Sequence, residues 1–400
     1  MFIARQPIFN RYKQVVAYEL LFRQEREHTR FMATDAHAAT AFVVGGLFEN
    51  GFHPIVGEKT AYINADYEFL VSDSPELLQP EKLMIEILED VVADEELLSR
   101  LKKLKLMGYR FALDDYTEKV PDSLLDCADV IKHDIQAVPM DSIDFRRISS
   151  VNEKAMFCAE KVETEEEFLK ARNLGFEYFQ GYFFRKPQIV EGVKGTKEIN
   201  TTYTLIFQEL QKDEPSFRRL EDLISREPKM TYTLIRISSK AYSRKKNFTL
   251  RRALVNMGLR QLQRWVYILM LQDLSRDKPR ELMRLALART DFGEKIARRS
   301  TLQKRREEIS LMCVLSAIDA MLDRPMDEAL GELRISKDIK DALITRTGEL
   351  AVVMKLIDHY ENGAWRDVEA LQQEIGISRE ELGQSYLAAI RWADEVMLEI

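Results

Sequence analysis

Through the first half of the chain, short apolar runs alternate with longer stretches of helical period; beyond about residue 200 only the helical period remains. The runs that read as strands are Phe2–Phe9, Val15–Leu20, Thr60–Asn64, Leu83–Leu88, Arg110–Asp115, Asp129–Asp134, Ala155–Glu160 and Tyr178–Phe184. Helix signals fall between them. Asp94 precedes Leu97, Leu98, Leu101 and Leu104 on one face, with Gly108 after them. Thr164-Glu165-Glu166-Glu167 has the form of a capping box, and Gly175 stands where that helix should stop. Strands alternating with helices predict parallel pairing, and eight of them predict a β/α barrel. The first two strands are too close in sequence for a helical crossover, so they are expected to pair antiparallel.

In the second half, Leu220–Ser225, Thr231–Ser238, Leu250–Met257, Leu259–Leu271, Glu281–Ala288, Ile309–Leu322 and Glu381–Leu398 carry apolar residues at helical spacing. Pro215, Pro228, Pro279 and Pro325 separate them, each lacking the N–H that an interior turn requires. The fold class expected is therefore α/β followed by all-α, with a barrel over 1–193, a linker at 194–200 and a helical domain over 201–400.

At 400 residues the chain is too long for one ordinary core, in keeping with two domains. No apolar stretch approaches the roughly 18 residues of a membrane span, and the start lacks a basic region leading into an apolar run. Cys127, Cys158 and Cys313 are odd in number and widely spaced, which excludes a disulfide framework and a CxxC metal site. A cytoplasmic, reducing setting without membrane contact is the expectation. The net charge of −7 is unevenly placed. Residues 1–200 hold 25 Lys and Arg against 35 Asp and Glu, whereas residues 201–400 hold 34 against 31. The acidic half disfavours a nucleic-acid surface unless a metal offsets its carboxylates.

The strand ends carry the chemistry. Successive apolar runs finish in Glu19, Asn64, Glu86, Asp114-Asp115, Lys132, Glu160 and Gln180. In a parallel barrel these ends converge on one mouth. Carboxylates joined by amide oxygens form a hard, oxygen-rich site suited to Mg²⁺ or Mn²⁺. The matching chemistry is metal-assisted attack of water on a phosphodiester. A single acidic residue at a strand end is more often a cap or a solvated turn; seven successive ends are harder to assign that way.

Residues 1–190 resemble the EAL phosphodiesterase domain of cyclic di-GMP signalling. The resemblance rests on Arg5-Gln6-Pro7-Ile8, Tyr18-Glu19-Leu20-Leu21-Phe22-Arg23, Ile63-Asn64, Ile85-Glu86-Ile87-Leu88-Glu89, Asp114-Asp115-Tyr116, Ile131-Lys132-His133-Asp134, Ala159-Glu160-Lys161-Val162-Glu163-Thr164 and Gln180-Gly181-Tyr182. It implies that Glu19, Asn64, Glu86 and Asp114 hold one metal, and that Asp114 is shared with a second held by Asp115 and Glu160. It also implies Glu160 as general base, Lys132 as an aid in placing the water, Gln180 beside the metals, Gln6 and Arg23 on the dinucleotide, and Glu163 as support for a neighbouring loop. The reaction implied is hydrolysis of cyclic di-GMP to linear pGpG, with a non-catalytic cyclic di-GMP receptor as the alternative. One segment departs from the family pattern: after Asp115, the glycines of the usual loop are replaced by Tyr116-Thr117-Glu118-Lys119-Val120-Pro121-Asp122. In the family this loop orders the second metal and a dimer contact, so a homodimer is one expectation.

Residues 201–400 resemble the HDOD domain, a helical relative of HD phosphohydrolases without their metal site, through 229–238, 253–262 and 314–322. The only histidine in this half, His359, has no second histidine to complete a metal site and is expected on a helix surface. The implied role is regulation or binding of a protein partner. Residues 201–270 carry 14 Lys and Arg against 6 Asp and Glu, including Arg244-Lys245-Lys246, Arg260 and Arg264. Solvated helix faces, or faces docked on the acidic first half, are favoured there over a nucleic-acid surface. Trp265 is expected in the core.

Overall fold

The computed structural model describes residues 2–23, 53–185, 199–212, 214–241, 249–331, 333 and 335–399. Most of the expected linker at 194–200 and the Arg244-Lys245-Lys246 cluster lie outside these residues.

Eight strands close into a barrel in sequence order: β1 Phe2–Asn10, β2 Val15–Arg23, β3 Thr60–Ala65, β4 Leu83–Ile87, β5 Phe111–Leu113, β6 Val130–Asp134, β7 Met156–Glu160 and β8 Tyr178–Gln180. Strands β2 to β8 run parallel, while β1 is antiparallel to both neighbours, β2 and β8. The reversal follows from the connection: a turn closed by Lys13 N–H to Asn10 O at 2.9 Å leaves no room for a crossover. Five strands are shorter than expected, three of them by a single residue and β5 and β8 by more. β8 ends at Gln180 because Gly181 turns the chain at φ +143°. β5 ends at Leu113, and Asp115 takes a left-handed φ of +42°, a conformation aspartate tolerates better than most side chains.

The strand period of two then fixes what fills the barrel. Ile8, Ala17, Tyr62, Met84, Ala112, Val130 and Cys158, one from each of β1 to β7, form a buried apolar layer. Two residues further along each parallel strand stand Glu19, Asn64, Glu86, Asp114, Lys132 and Glu160; Gln180 stands two beyond Tyr178, which packs on the same layer. On antiparallel β1 the step runs backwards, from Ile8 to Gln6. A polar layer therefore sits directly on an apolar plug, facing the mouth.

The barrel helices are α1 His53–Val56, α2 Tyr67–Val71, α3 Glu95–Leu106, α4 Asp122–Leu125, α5 Phe145–Val151 and α6 Glu165–Leu174. Asp94 caps α3, accepting the Leu97 N–H at 2.8 Å, and Leu97, Leu101 and Leu104 are buried. The Thr164/Glu167 capping box forms at α6, and Gly175 ends that helix in the left-handed region.

The second half is helical: α7 Thr201–Leu210, α8 Phe217–Ser225, α9 Pro228–Ala241, α10 Leu250–Leu274, α11 Arg280–Arg298, α12 Arg306–Leu315, α13 Ile318–Leu322, α14 Met326–Gly331, α15 Lys337–Ile344, α16 Glu349–Glu361, α17 Trp365–Glu374 and α18 Arg379–Glu399. Pro228, Pro279 and Pro325 all stand at helix starts, where the missing N–H costs nothing. The expected helix Ile309–Leu322 is broken between α12 and α13. The two expected segments around Gly258 form one run, kinked there by φ +75° and ψ 158°. Trp265 is buried, and His359 is partly exposed on α16, 3.7 Å from Asp367.

Contacts group the chain into two compact units, residues 1–186 with 355–400, and residues 187–354. The helical half is thus divided, its last 46 residues joining the barrel's unit. All three cysteines are buried and free. No helix among the described residues is long and apolar enough to cross a membrane.

Candidate active site

Lys132 occupies the centre of the polar layer. Its side chain is 1% exposed, and its ammonium lies 2.8 Å from Glu160, 2.9 Å from Glu86, 3.0 Å from Asp114 and 3.4 Å from Glu19. One cation therefore balances four carboxylates drawn from four other strand ends. Gln180 Nε2 donates to Glu19 Oε2 at 2.6 Å and to Gln6 Oε1 at 3.1 Å, and Asn64 Nδ2 donates to Glu19 Oε1 at 3.1 Å. The structure thus brings together Gln6, Glu19, Asn64, Glu86, Asp114, Lys132, Glu160 and Gln180.

The electrostatics of this layer divide its members. Burial pushes Glu86 well above the usual carboxylate range, and the Glu19 charge adds to the rise. Burial raises Glu160 to about 7 despite the attraction of Lys132. Burial also acts to raise Glu19, but Lys132 and hydrogen bonds from Gln180 and Asn64 outweigh it, so its pKa falls. For Lys132, burial acts to lower the pKa and the surrounding carboxylates reverse the effect, holding the ammonium firmly charged.

The donors present fit a divalent cation. Glu86 is fully buried; its Oε1 is an ion-pair partner of Lys132, yet among the described residues neither of its oxygens has a hydrogen-bond partner, and Gln180 Oε1 is also buried without one. Four carboxylates, three of them buried and Asp114 half-buried, against one ammonium leave a surplus of negative charge that a hard cation would relieve. Beside the layer, Asp114, Asp115 and Glu89 present carboxylate oxygens within 4.8 Å of one another. The sequence reading did not assign Glu89, although its position three residues beyond Glu86 was a signal.

Two loops hold these groups in place. At the β8 exit, Val162 N–H donates to Gln180 O and Phe183 N–H to Val162 O, both at 3.0 Å, which ties the loop after Glu160 to the one after Gln180. Lys161, in the left-handed region at φ +54°, pairs with Asp134. After Asp115, the glycine-free loop is gripped by Arg147, which donates to Glu118 O at 2.7 Å, Val120 O at 2.9 Å and Asp122 Oδ1 at 2.9 Å. Arg147, also absent from the expected site, supplies from α5 an order that the loop's own sequence does not. Replacing Arg147 with Ala should speed amide exchange over 116–122 by about tenfold while leaving β4 protected, as read by exchange mass spectrometry. Glu163 is exposed; its N–H donates to Glu167 Oε2 at 2.7 Å. The Arg23 side chain lies outside the described residues.

In the second unit, charged side chains pair internally. Asp291 and Glu294 of α11 are buried; Arg264 reaches them at 2.6 and 2.7 Å, Arg260 pairs with Glu294 and Lys295 with Asp291. Part of the basic stretch is thus neutralised within the helical unit.

The HDOD family model matches residues 197–322. The chain is 31% identical to the uncharacterised protein YuxH of Bacillus subtilis, over 99% of both chains. It is also 31% identical to the cyclic di-GMP phosphodiesterase CdgJ of Vibrio cholerae, over 99% of this chain and 93% of that one. This chain belongs to the EAL-HDOD family. Among solved structures, the EAL-domain protein YkuI of Bacillus subtilis, crystallised with cyclic di-GMP and calcium, matches at 20% identity and a TM-score of 0.36, covering 60% of this chain and 66% of that one. The EAL-HDOD architecture agrees with a closed eight-stranded barrel at the N-terminus followed by helices.

Proposed function

We propose that this EAL-HDOD protein hydrolyses cyclic di-GMP to linear pGpG with the aid of divalent ions, Mg²⁺ or Mn²⁺. The observation that carries this reading is the set of four carboxylates, three buried and one half-buried, on the ends of β2, β4, β5 and β7, with Glu86 oxygens that have no hydrogen-bond partner among the described residues. Full-length similarity to a curated cyclic di-GMP phosphodiesterase supports it. Glu19, Asn64, Glu86 and Asp114 would hold one ion, and Asp114, Asp115 and Glu160 a second, with Glu89 beside them. When bound, such ions neutralise charge at the phosphoryl oxygens and make water more acidic.

The side chains then have distinct tasks. Glu160, at about 7, is poised to take a proton from water near neutral pH. The Lys132 ammonium is fixed where negative charge develops on the phosphoryl group. Gln6 and Gln180, joined to each other and to Glu19, offer amides to the dinucleotide, and Arg23 would pair with a phosphate. Glu163 supports the loop after β7 through its N–H bond to Glu167. The helical unit acts in regulation or partner binding, a role compatible with acidic residues on α11 that are already paired with cations. We take the barrel as 1–193 and the HDOD domain as beginning after 200; a homodimer is part of the same proposal.

The test is chromatography of cyclic di-GMP incubated with the purified full-length protein. Product pGpG is expected with Mg²⁺ or Mn²⁺ and none with EDTA. Binding of the dinucleotide without product in either metal would replace the enzyme with a receptor.

A further inference from the structure

The helix packed on β1 is α18, from the other end of the chain, and it grips that strand one residue from Gln6. Arg5 is buried and points to the outside of the barrel, as the strand period requires when Gln6 points in. Its guanidinium lies 4.3 Å from the centre of the Tyr18 ring on β2 and donates to both Asp394 oxygens of α18, each at 3.3 Å. It also donates to the Ile55 carbonyl of α1, and the Arg5 N–H donates to the Tyr386 hydroxyl of α18 at 3.3 Å. The neighbouring C-terminal residues hold the other strands of the same wall. Arg185, just beyond β8, pairs with buried Glu361 at 3.1 Å, and the Tyr182 hydroxyl donates to Asn362. Gly363 lies so close to Leu21 of β2 that a Cβ there would stand 3.0 Å from Leu21 Cδ1.

These contacts converge on β8, β1 and β2, the three strands that carry Gln180, Gln6 and Glu19. Those side chains form one hydrogen-bonded chain inside the mouth. We infer that residues 355–399 are a working part of the catalytic barrel, and that Arg5 is a positioning residue through which α18 sets Gln6 and the Gln180–Glu19 pair. The chain returns to the barrel's unit inside α16, so a change arriving along that helix reaches Glu361, Asn362 and Gly363 first.

The kinetic arm of the test rests on the phosphodiesterase reading, and the structural arm does not. In the full-length protein, Asp394→Asn weakens the charged half of the Arg5 contact without removing a core side chain. Amide exchange over 2–10 and 15–23 is expected to quicken about fivefold, with 83–87 of β4 unchanged, and KM for cyclic di-GMP to rise by a similar factor. Asp394→Glu should recover both, and Glu395→Gln, at an exposed position of the same helix, should match the wild type in both. Unchanged exchange in β1, or equal loosening of β1 and β4, would overturn the inference, as would a KM shift without loosening of β1. A wild type that turns over no cyclic di-GMP would sink the phosphodiesterase reading, while faster β1 exchange in Asp394→Asn would still support the clamp.

Discussion

Lys132→Met should lower the stability of the metal-free protein by about 3 to 5 kcal/mol, the cost of leaving buried charge without its partner. Its ammonium is within 3.4 Å of four carboxylates and 1% exposed, so water cannot take its place. Methionine fills similar space, which makes the effect chiefly electrostatic. The carboxylates respond by holding protons more tightly. Glu160 already titrates near 7 rather than 4.5, so its protonated form stabilises the fold fully below about 4.5, and that contribution is lost as pH rises through about 7. Without Lys132 the folded-state pKa rises further. The gap between variant and wild type in EDTA should therefore widen as pH rises through this window. Mn²⁺ should narrow it again, because divalent charge replaces what was removed. Turnover in Mn²⁺ should still fall by about 10²- to 10³-fold, since the fixed positive charge at the phosphoryl group is gone. Thermal melts with and without EDTA at pH 5 and pH 8, beside product chromatography, check each part. A variant as stable as the wild type in EDTA at pH 8 would show that the carboxylates do not depend on Lys132.

Gly181→Ala should act on the same site through the backbone. A Cβ at this position would stand 2.5 Å from Val162 N and 2.8 Å from Val162 C, and closer still to Val162 O. Backbone atoms cannot swing aside as the end of a side chain can, and φ of +143° is itself a conformation that L-residues rarely adopt. The loops after β7 and β8 must separate, breaking the Val162 bonds to Gln180 and Phe183. A loss of about 2 to 4 kcal/mol is expected from strain of this kind. Because Glu160 and Gln180 are the last residues before these loops, activity should drop at least about a hundredfold even where the variant is folded. Circular dichroism to confirm folding, followed by turnover, separates the two losses. Near-normal activity in a folded variant would mean that the loops accommodate the methyl group without moving the site.

The barrel and most of its mouth could be read from the chain because a strand repeats every two residues. Apolar runs ending in Glu19, Asn64, Glu86, Asp114, Lys132, Glu160 and Gln180 placed those groups in one layer, and the structure brings them into contact. Period alone does not show which member lies at the centre; that Lys132 touches four carboxylates follows from closure of the ring. Arg147 escaped notice because it acts across sequence, from α5 onto the carbonyls of a loop that ends 25 residues earlier. The last helices were expected with the HDOD segment because helical period marks an apolar face without saying what core it covers. Arg5 gave a weak sign of the contact with α18: a charged residue inside an apolar strand requires a partner, and Asp394 provides it from 389 residues away.

The reversed direction of β1 has a practical consequence for anyone handling this protein. Phe2 lies opposite Arg23, beyond the Gln6–Glu19 pair in the direction of the mouth. In an all-parallel barrel the first strand would start at the floor, far from the chemistry. Here, whatever is joined ahead of Phe2, whether an affinity tag, a fluorescent reporter or an upstream domain, is attached at the rim of the mouth, above the polar layer.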